Sequence, residues 1–116
     1  MNPRVIVEYP GWMHSLIDWE APLPTAEDRM RLAIRLAREN VERGTGGPFG
    51  AIVVERDSGK LIAAGANSGV RLNNCTLHGE MVAVMMAQQR LHSFTLAAPQ
   101  MPAHELVTSC EPCAMC

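Results

Sequence analysis

Aromatic residues make up only 4% of this 116-residue chain, and neither sign of charge is in large excess. The net charge of −2 leaves no global basic field to gather phosphates, which weighs against a nucleic-acid substrate. Long apolar runs are missing too. Near the start only Val5-Ile6-Val7 is continuously apolar, and Glu8 and Pro10 interrupt it, which is too short for a signal-peptide core or a membrane span. The chain therefore reads as cytoplasmic, where thiols stay reduced and four cysteines point to metal or redox chemistry before disulfides. There is no internal repeat and no low-complexity segment. What is present fits one small globular domain: 47% hydrophobic residues, 19% charged residues, and enough methionine, alanine and valine for closely packed aliphatic layers.

Residues 1–24 read as an N-terminal extension, punctuated by Pro3, Pro10, Pro22 and Pro24, and residues 25–116 as the domain. The extension is expected to be an irregular arm over apolar surface, pinned by Trp12, Ile17 and Trp19, with His14 on the outside. Thr25 followed by Asp28 predicts a capped helix start, and the helix runs to Arg43 before Gly44 ends it. Met30, Ala33, Ile34, Ala37 and Val41 recur at helical spacing and form its expected buried stripe, with Arg31, Arg35, Arg38, Glu39 and Glu42 outside. A glycine-rich loop, residues 44–48, leads to two short strands, Ala51–Glu55 and Leu61–Gly65, joined by turn residues 56–60. A second helix is expected over Leu77–Leu91, apolar almost all round and so buried on both sides. Glu105–Thr108 reads as a third strand, and Pro112 suits the first position of another helix.

The chemistry gathers in two places. His78-Gly79-Glu80 opens the second helix, and Cys110-Glu111-Pro112-Cys113-Ala114-Met115-Cys116 closes the sequence. Two thiolates three positions apart at a helix start face the same side, and the dipole there favours thiolate over thiol. A catalytic zinc takes three protein ligands and leaves one position open. His78, Cys113 and Cys116 supply three, and Glu80 sits beside the fourth position without filling it. A Cys-x-x-Cys alone is also half of a structural zinc site or a redox pair. The first needs a fourth Cys or His at partner spacing, and the second does not call for a neighbouring His-x-Glu. Cys75, Cys110, His92 and His104 read as ordinary residues.

His-x-Glu followed by Pro-Cys-x-x-Cys is the signature of zinc-dependent nucleobase deaminases. With Gly46-Gly47-Pro48-Phe49-Gly50-Ala51, Gly65-Ala66-Asn67 and Thr108-Ser109-Cys110-Glu111 added, the chain resembles the cytidine and deoxycytidylate deaminase-like superfamily from about Arg29 onward, most closely its bacterial guanine deaminase-like branch. The resemblance implies a three-layer α/β/α sandwich of the cytidine deaminase type, of which this chain holds the N-terminal portion, and a Zn2+ cofactor. It implies Glu80 as proton shuttle, with Asn67, Phe49 and the Gly79 backbone at the substrate. The substrate it implies is a small-molecule purine base, guanine before amino-triazines, with tRNA adenosine or cytosine/cytidine deamination as the alternative. A homodimer is implied for the full-length enzyme. Gly79 departs from the family's usual alanine, and the lost methyl is expected to widen the substrate space slightly.

The family continues well past its second cysteine, whereas here about one turn remains after Pro112. A single turn does not hold itself, because helix nucleation is unfavourable. The sequence thus reads as an N-terminal fragment. On its own it is expected to be catalytically silent, a non-catalytic remnant with an incomplete zinc site, and prone to association through an uncovered sheet.

Overall fold

A computed structural model of the chain describes residues 2–116. Strands β1 (Gly50–Glu55), β2 (Leu61–Ala66) and β3 (His104–Thr108) form one antiparallel sheet in the order β2-β1-β3. The register runs from Gly50↔Ala66 on one side of β1 and from Ala51↔Thr108 on the other. All three expected strands are thus in one sheet, within a residue of their predicted bounds.

Helices α1 (Gly11–Leu16), α2 (Ala26–Glu42) and α3 (Gly79–Leu91) cover the sheet on both faces. Ile52 and Val54 pack with Leu36 of α2 and with Met13 and Ile17, while Ala51 and Val53 pack with Ala83 and Ala87 of α3. This is the expected α/β/α layering. A strand buried on both faces has no side for polar residues, hence the uninterrupted run Ala51-Ile52-Val53-Val54. In β2 the register shifts opposite Val53 and Val54, so that Ile62 and Ala63 face α3 while Leu61 and Ala64 face α2. A bulge of this kind lets two successive residues serve one layer.

Two glycines set how closely the helices approach. A Cβ on Gly50 would lie 2.4 Å from the Ala33 carbonyl oxygen of α2, and one on Gly65 would lie 2.2 Å from the Gly79 carbonyl oxygen of α3. Gly65 pairs with Ala51, next to Gly50, so both helices press on the same end of the sheet.

Three expectations need correction. The buried stripe of α2 is Arg29, Ala33, Leu36, Ala37 and Asn40, whereas Met30, Ile34 and Val41 are 38%, 44% and 51% exposed. Two polar residues take inward positions because each has fixed partners. Arg29 donates to the Leu23 and Arg56 carbonyls at 2.8 and 2.9 Å and to Glu105 at 3.1 Å, tying α2 to the extension, the β1–β2 turn and β3. The helix bounds, by contrast, match closely: Thr25 caps α2 by accepting from the Asp28 N–H at 3.0 Å.

The extension is not merely an irregular arm. It contains α1, and Met13 and Ile17 belong to the core cluster, at 0% and 6% exposure. Tyr9 accepts from the Ala64 N–H at 3.1 Å, and Arg90 donates to the Leu61 and Ile62 carbonyls at 2.9 Å. The outer edge of β2 is thereby covered, whereas among the described residues no strand lies beyond β3. In α3, only Val82, Ala83 and Ala87 of the apolar run are fully buried. Met81, Val84, Met85 and Met86 are half-buried, because the sheet covers one flank of the helix.

Gly65→Ala should therefore cost about 3 kcal/mol, since its methyl meets backbone that cannot move aside. Gly11→Ala, with open space around it, should change stability by less than about 1 kcal/mol. Urea unfolding of the two variants checks this, and similar midpoints would refute the close approach of α3.

Candidate functional site

One end of the sheet collects the residues singled out above. Asn67 follows β2 and donates its N–H to the Phe49 carbonyl at 3.0 Å. Ser109 follows β3; its N–H donates to the Gly50 carbonyl at 2.9 Å, and its hydroxyl accepts from the Gly50 N–H at 3.0 Å. His78 is the N-cap of α3 rather than a first-turn residue, and Glu80 lies in the first turn, 8% exposed. A cavity of about 260 Å³ opens here, lined by Phe49, Asn67, His78, Glu80, Cys110, Glu111 and Cys113.

The ligand atoms of His78, Cys113 and Cys116 all lie within 4.8 Å of one another. Nδ1 of His78 is 3.5 Å from the Cys113 sulfur and 3.7 Å from the Cys116 sulfur, and the sulfurs are 3.8 Å apart. Tetrahedral zinc with its usual bond lengths demands sulfur–sulfur and sulfur–nitrogen separations of about 3.8 and 3.6 Å. The residues therefore fit the ion. Among the described residues no fourth His, Cys, Asp or Glu joins this cluster, so it matches an open catalytic set and not a closed structural one.

The two thiols differ. Residues 113–116 make one turn, closed by the Cys116 N–H donating to the Cys113 carbonyl at 3.0 Å, and no helix forms. The expected helix dipole is thus absent. Instead the backbone N–H groups of Cys116 and Met115 point at the Cys113 sulfur and lower its pKa. The Cys116 thiol is pushed up to about 12, first by desolvation and then by Cys113 and Glu80 beside it.

Gly79 does not line the cavity. A Cβ there would meet the Phe49 carbonyl oxygen at 3.1 Å and Ala66 Cα at 3.6 Å, so the methyl the family carries belongs to the helix–strand contact. Its loss gives no room to a substrate. Cys110 and Glu111 line the cavity and Ser109 moors the cysteine segment to β1, so the Thr108-Ser109-Cys110-Glu111 motif, given no site role above, belongs to the site. Their signal is adjacency: all three lie just upstream of Cys113, separated from it by Pro112.

Comparison with known proteins agrees with this geometry. Residues 24–116 match the family model of the cytidine and deoxycytidylate deaminase zinc-binding region. The chain is 41% identical over 90 residues to a guanine deaminase of Bacillus subtilis, covering 78% of this chain and 53% of that one. It is 36% identical over 87 residues to a tRNA-specific adenosine deaminase of Aquifex aeolicus, covering 75% and 52%. The solved guanine deaminase of Nitrosomonas europaea superposes with a TM-score of 0.91 at 40% identity, over 99% of this chain and 63% of that one. The chain thus spans about half the length of the sequence relatives it matches.

Metal uptake should depend on pH in a defined direction. With its thiol at about 12, Cys116 is protonated at neutral pH in the metal-free chain and must lose that proton to bind zinc. Affinity should rise by at least about tenfold per pH unit between pH 6 and 8. A competition titration with a chelator measures it, and calorimetry in two buffers of different ionisation enthalpy counts the protons. An affinity flat across this range would contradict the thiol assignment.

Proposed function

The chain belongs to the cytidine and deoxycytidylate deaminase family, and from that premise we propose that it carries the metal and proton-transfer portion of a guanine deaminase, which yields xanthine and ammonia. One observation carries the substrate assignment. Phe49 and Asn67 share a cavity with His78, Glu80 and Cys113, and neither lysine nor arginine is among its lining residues. A neutral base asks for a flat apolar wall and hydrogen-bonding groups, whereas tRNA asks for basic contacts to its phosphates. Arg31, Arg35 and Arg38 instead line a groove on α2.

His78, Cys113 and Cys116 would hold zinc, which when bound supplies Lewis-acid activation of a water molecule. Glu80, two residues from His78 and buried, takes a proton from the attacking water as its oxygen adds to the amine-bearing ring carbon. That proton goes to the ring nitrogen. A second proton from the same oxygen passes by way of Glu80 to the amine, which leaves as ammonia while the carbonyl forms. Asn67 orients the base through its side-chain amide, the Phe49 ring walls the site, and the Gly79 backbone lies between ligand and shuttle. Residues 25–116 are read as part of the deaminase domain, with 1–24 as an extension packed against it. The whole enzyme is read as a cytoplasmic homodimer acting on a free base. No described helix is long and apolar enough to cross a membrane.

The deciding assay is ammonia release by the zinc-loaded protein from guanine, cytidine and an anticodon stem-loop, beside binding of 8-azaguanine as a readout independent of turnover. Preference for guanine and its analogue supports the assignment; preference for the stem-loop transfers it to tRNA editing. In the whole enzyme Glu80→Gln should keep zinc at one per active site and lower turnover by at least about a thousandfold, because the amide keeps the shape and loses the proton. Substantial turnover in that variant would remove Glu80 from the mechanism.

A further inference from the structure

Asn40 lies in the last turns of α2 and is 1% exposed, yet its whole side-chain amide is used. Nδ2 donates to the Gly47 and Asn67 carbonyls, both at 2.9 Å. Oδ1 accepts from the Thr45 hydroxyl at 2.6 Å, and Thr45 in turn accepts from the indole N–H of Trp12 at 3.0 Å. An amide nitrogen has two protons, and both are committed to carbonyls on loops that sequence separates by 20 positions, 47 against 67. No carboxylate or apolar side chain of that size reproduces this.

The consequence falls on Asn67. Its N–H is held by the Phe49 carbonyl and its own carbonyl by Asn40, so both flanking peptides are tied, while its side-chain Oδ1 accepts from the Gly69 N–H at 3.3 Å where the residue lines the cavity. Gly46 shows how tight the arrangement is: a Cβ there would lie 2.2 Å from the Asn67 carbonyl oxygen and 2.7 Å from Asn40 Nδ2. At the far end, Trp12 sits on α1 beside Met13, which is fully buried, so the extension is locked to the core where the chain of bonds begins.

We propose that Asn40 is a positioning residue for the base-binding loop at Asn67, and that the N-terminal extension reaches the substrate site through Trp12, Thr45 and Asn40. This rests on Asn67 being the residue that bonds the base. It gives residues 1–24 a part in specificity without any contact to the substrate.

Three variants probe it in the full 116-residue chain. Asn40→Asp keeps the shape and turns lone pairs toward two carbonyls. Gly46→Ala pushes on the Asn67 carbonyl directly. Trp12→Phe keeps an aromatic side chain and removes the pyrrole half of the indole with its N–H, so it serves should either of the others fail to fold. The first measurement is 15N relaxation on the metal-free chain. Order at Asn67, Ser68 and Gly69 and at the Asn67 side-chain amide should fall in each variant, while the amides of β1 stay unchanged. An Asn67 as ordered as in the parent chain, in a folded variant, overturns the proposal.

The second measurement is 8-azaguanine affinity of the zinc-loaded protein. Asn40→Asp should weaken it about tenfold, since two carbonyls lose their shared amide donor, and Trp12→Phe about two- to fivefold, since one neutral hydrogen bond is lost. Combined with Asn67→Ala, neither should cause further loss, because the effect passes through Asn67. Equal loss with and without Asn67 would mean a merely structural role and refute positioning. If the whole enzyme does not bind 8-azaguanine at all, the guanine assignment falls, and the relaxation data alone decide the role of Asn40.

Discussion

Everything at the site is measured from the backbone at Phe49 and Gly50. The Phe49 carbonyl accepts from the Asn67 N–H, Gly50 exchanges bonds with Ser109, and α3 begins against the same segment at Gly79. Three stretches far apart in sequence thereby end within reach of one cavity. The antiparallel register makes this obligatory: with Gly50 opposite Ala66 and Ala51 opposite Thr108, the residues that follow β2 and β3 must flank the one that precedes β1. Gly50 and Gly65 then let α2 and α3 close on that end of the sheet more tightly than a side chain would permit.

What could be read in advance follows from how local its cause is. Thr25 and Asp28 meet within one turn, so the start of α2 was plain in the sequence. The run Ala51-Ile52-Val53-Val54 needs only its own apolarity to read as a strand. The inward face of α2 did not read correctly, because Arg29 and Asn40 are inward only by virtue of carbonyls at Leu23, Arg56, Gly47 and Asn67. Apolar periodicity assigns inward positions to Met30, Ile34 and Val41, and no local rule reveals the distant acceptors. The same holds for α1, where Met13 enters the core between prolines that suggest an irregular arm.

The metal ligands were legible for the opposite reason. Metal chemistry constrains residue type so strongly that His78-x-Glu80 with Cys113-x-x-Cys116 carries its meaning without a fold around it. The separations of 3.5, 3.7 and 3.8 Å between ligand atoms then agree with a tetrahedral ion. Pro112 suits a helix start, but the single turn after it was not expected to hold itself, and it does not form a helix. Seven residues with one closing hydrogen bond do not make a helix, and the Cys113 thiol is lowered by two nearby N–H groups instead.

The site is accordingly built of two unequal halves. His78, Glu80 and Asn67 are set by α3 and the sheet, and Glu80 is buried, whereas Cys110 to Cys116 are all exposed. Ser109 is the last residue of the second half that the core holds by hydrogen bonds to β1. Beyond it, the cysteine segment meets α3 at the ligand cluster and at Glu80 beside the Cys116 thiol. A metal held by His78, Cys113 and Cys116 would join the half set by α3 and the sheet to the exposed cysteine segment. The Cys116 thiol is raised first by desolvation and then by Cys113 and Glu80 beside it, so binding a cation there means giving up its proton. Metal and proton are therefore coupled at this end of the sheet, and the buried half, anchored at Phe49 and Gly50, is built without either.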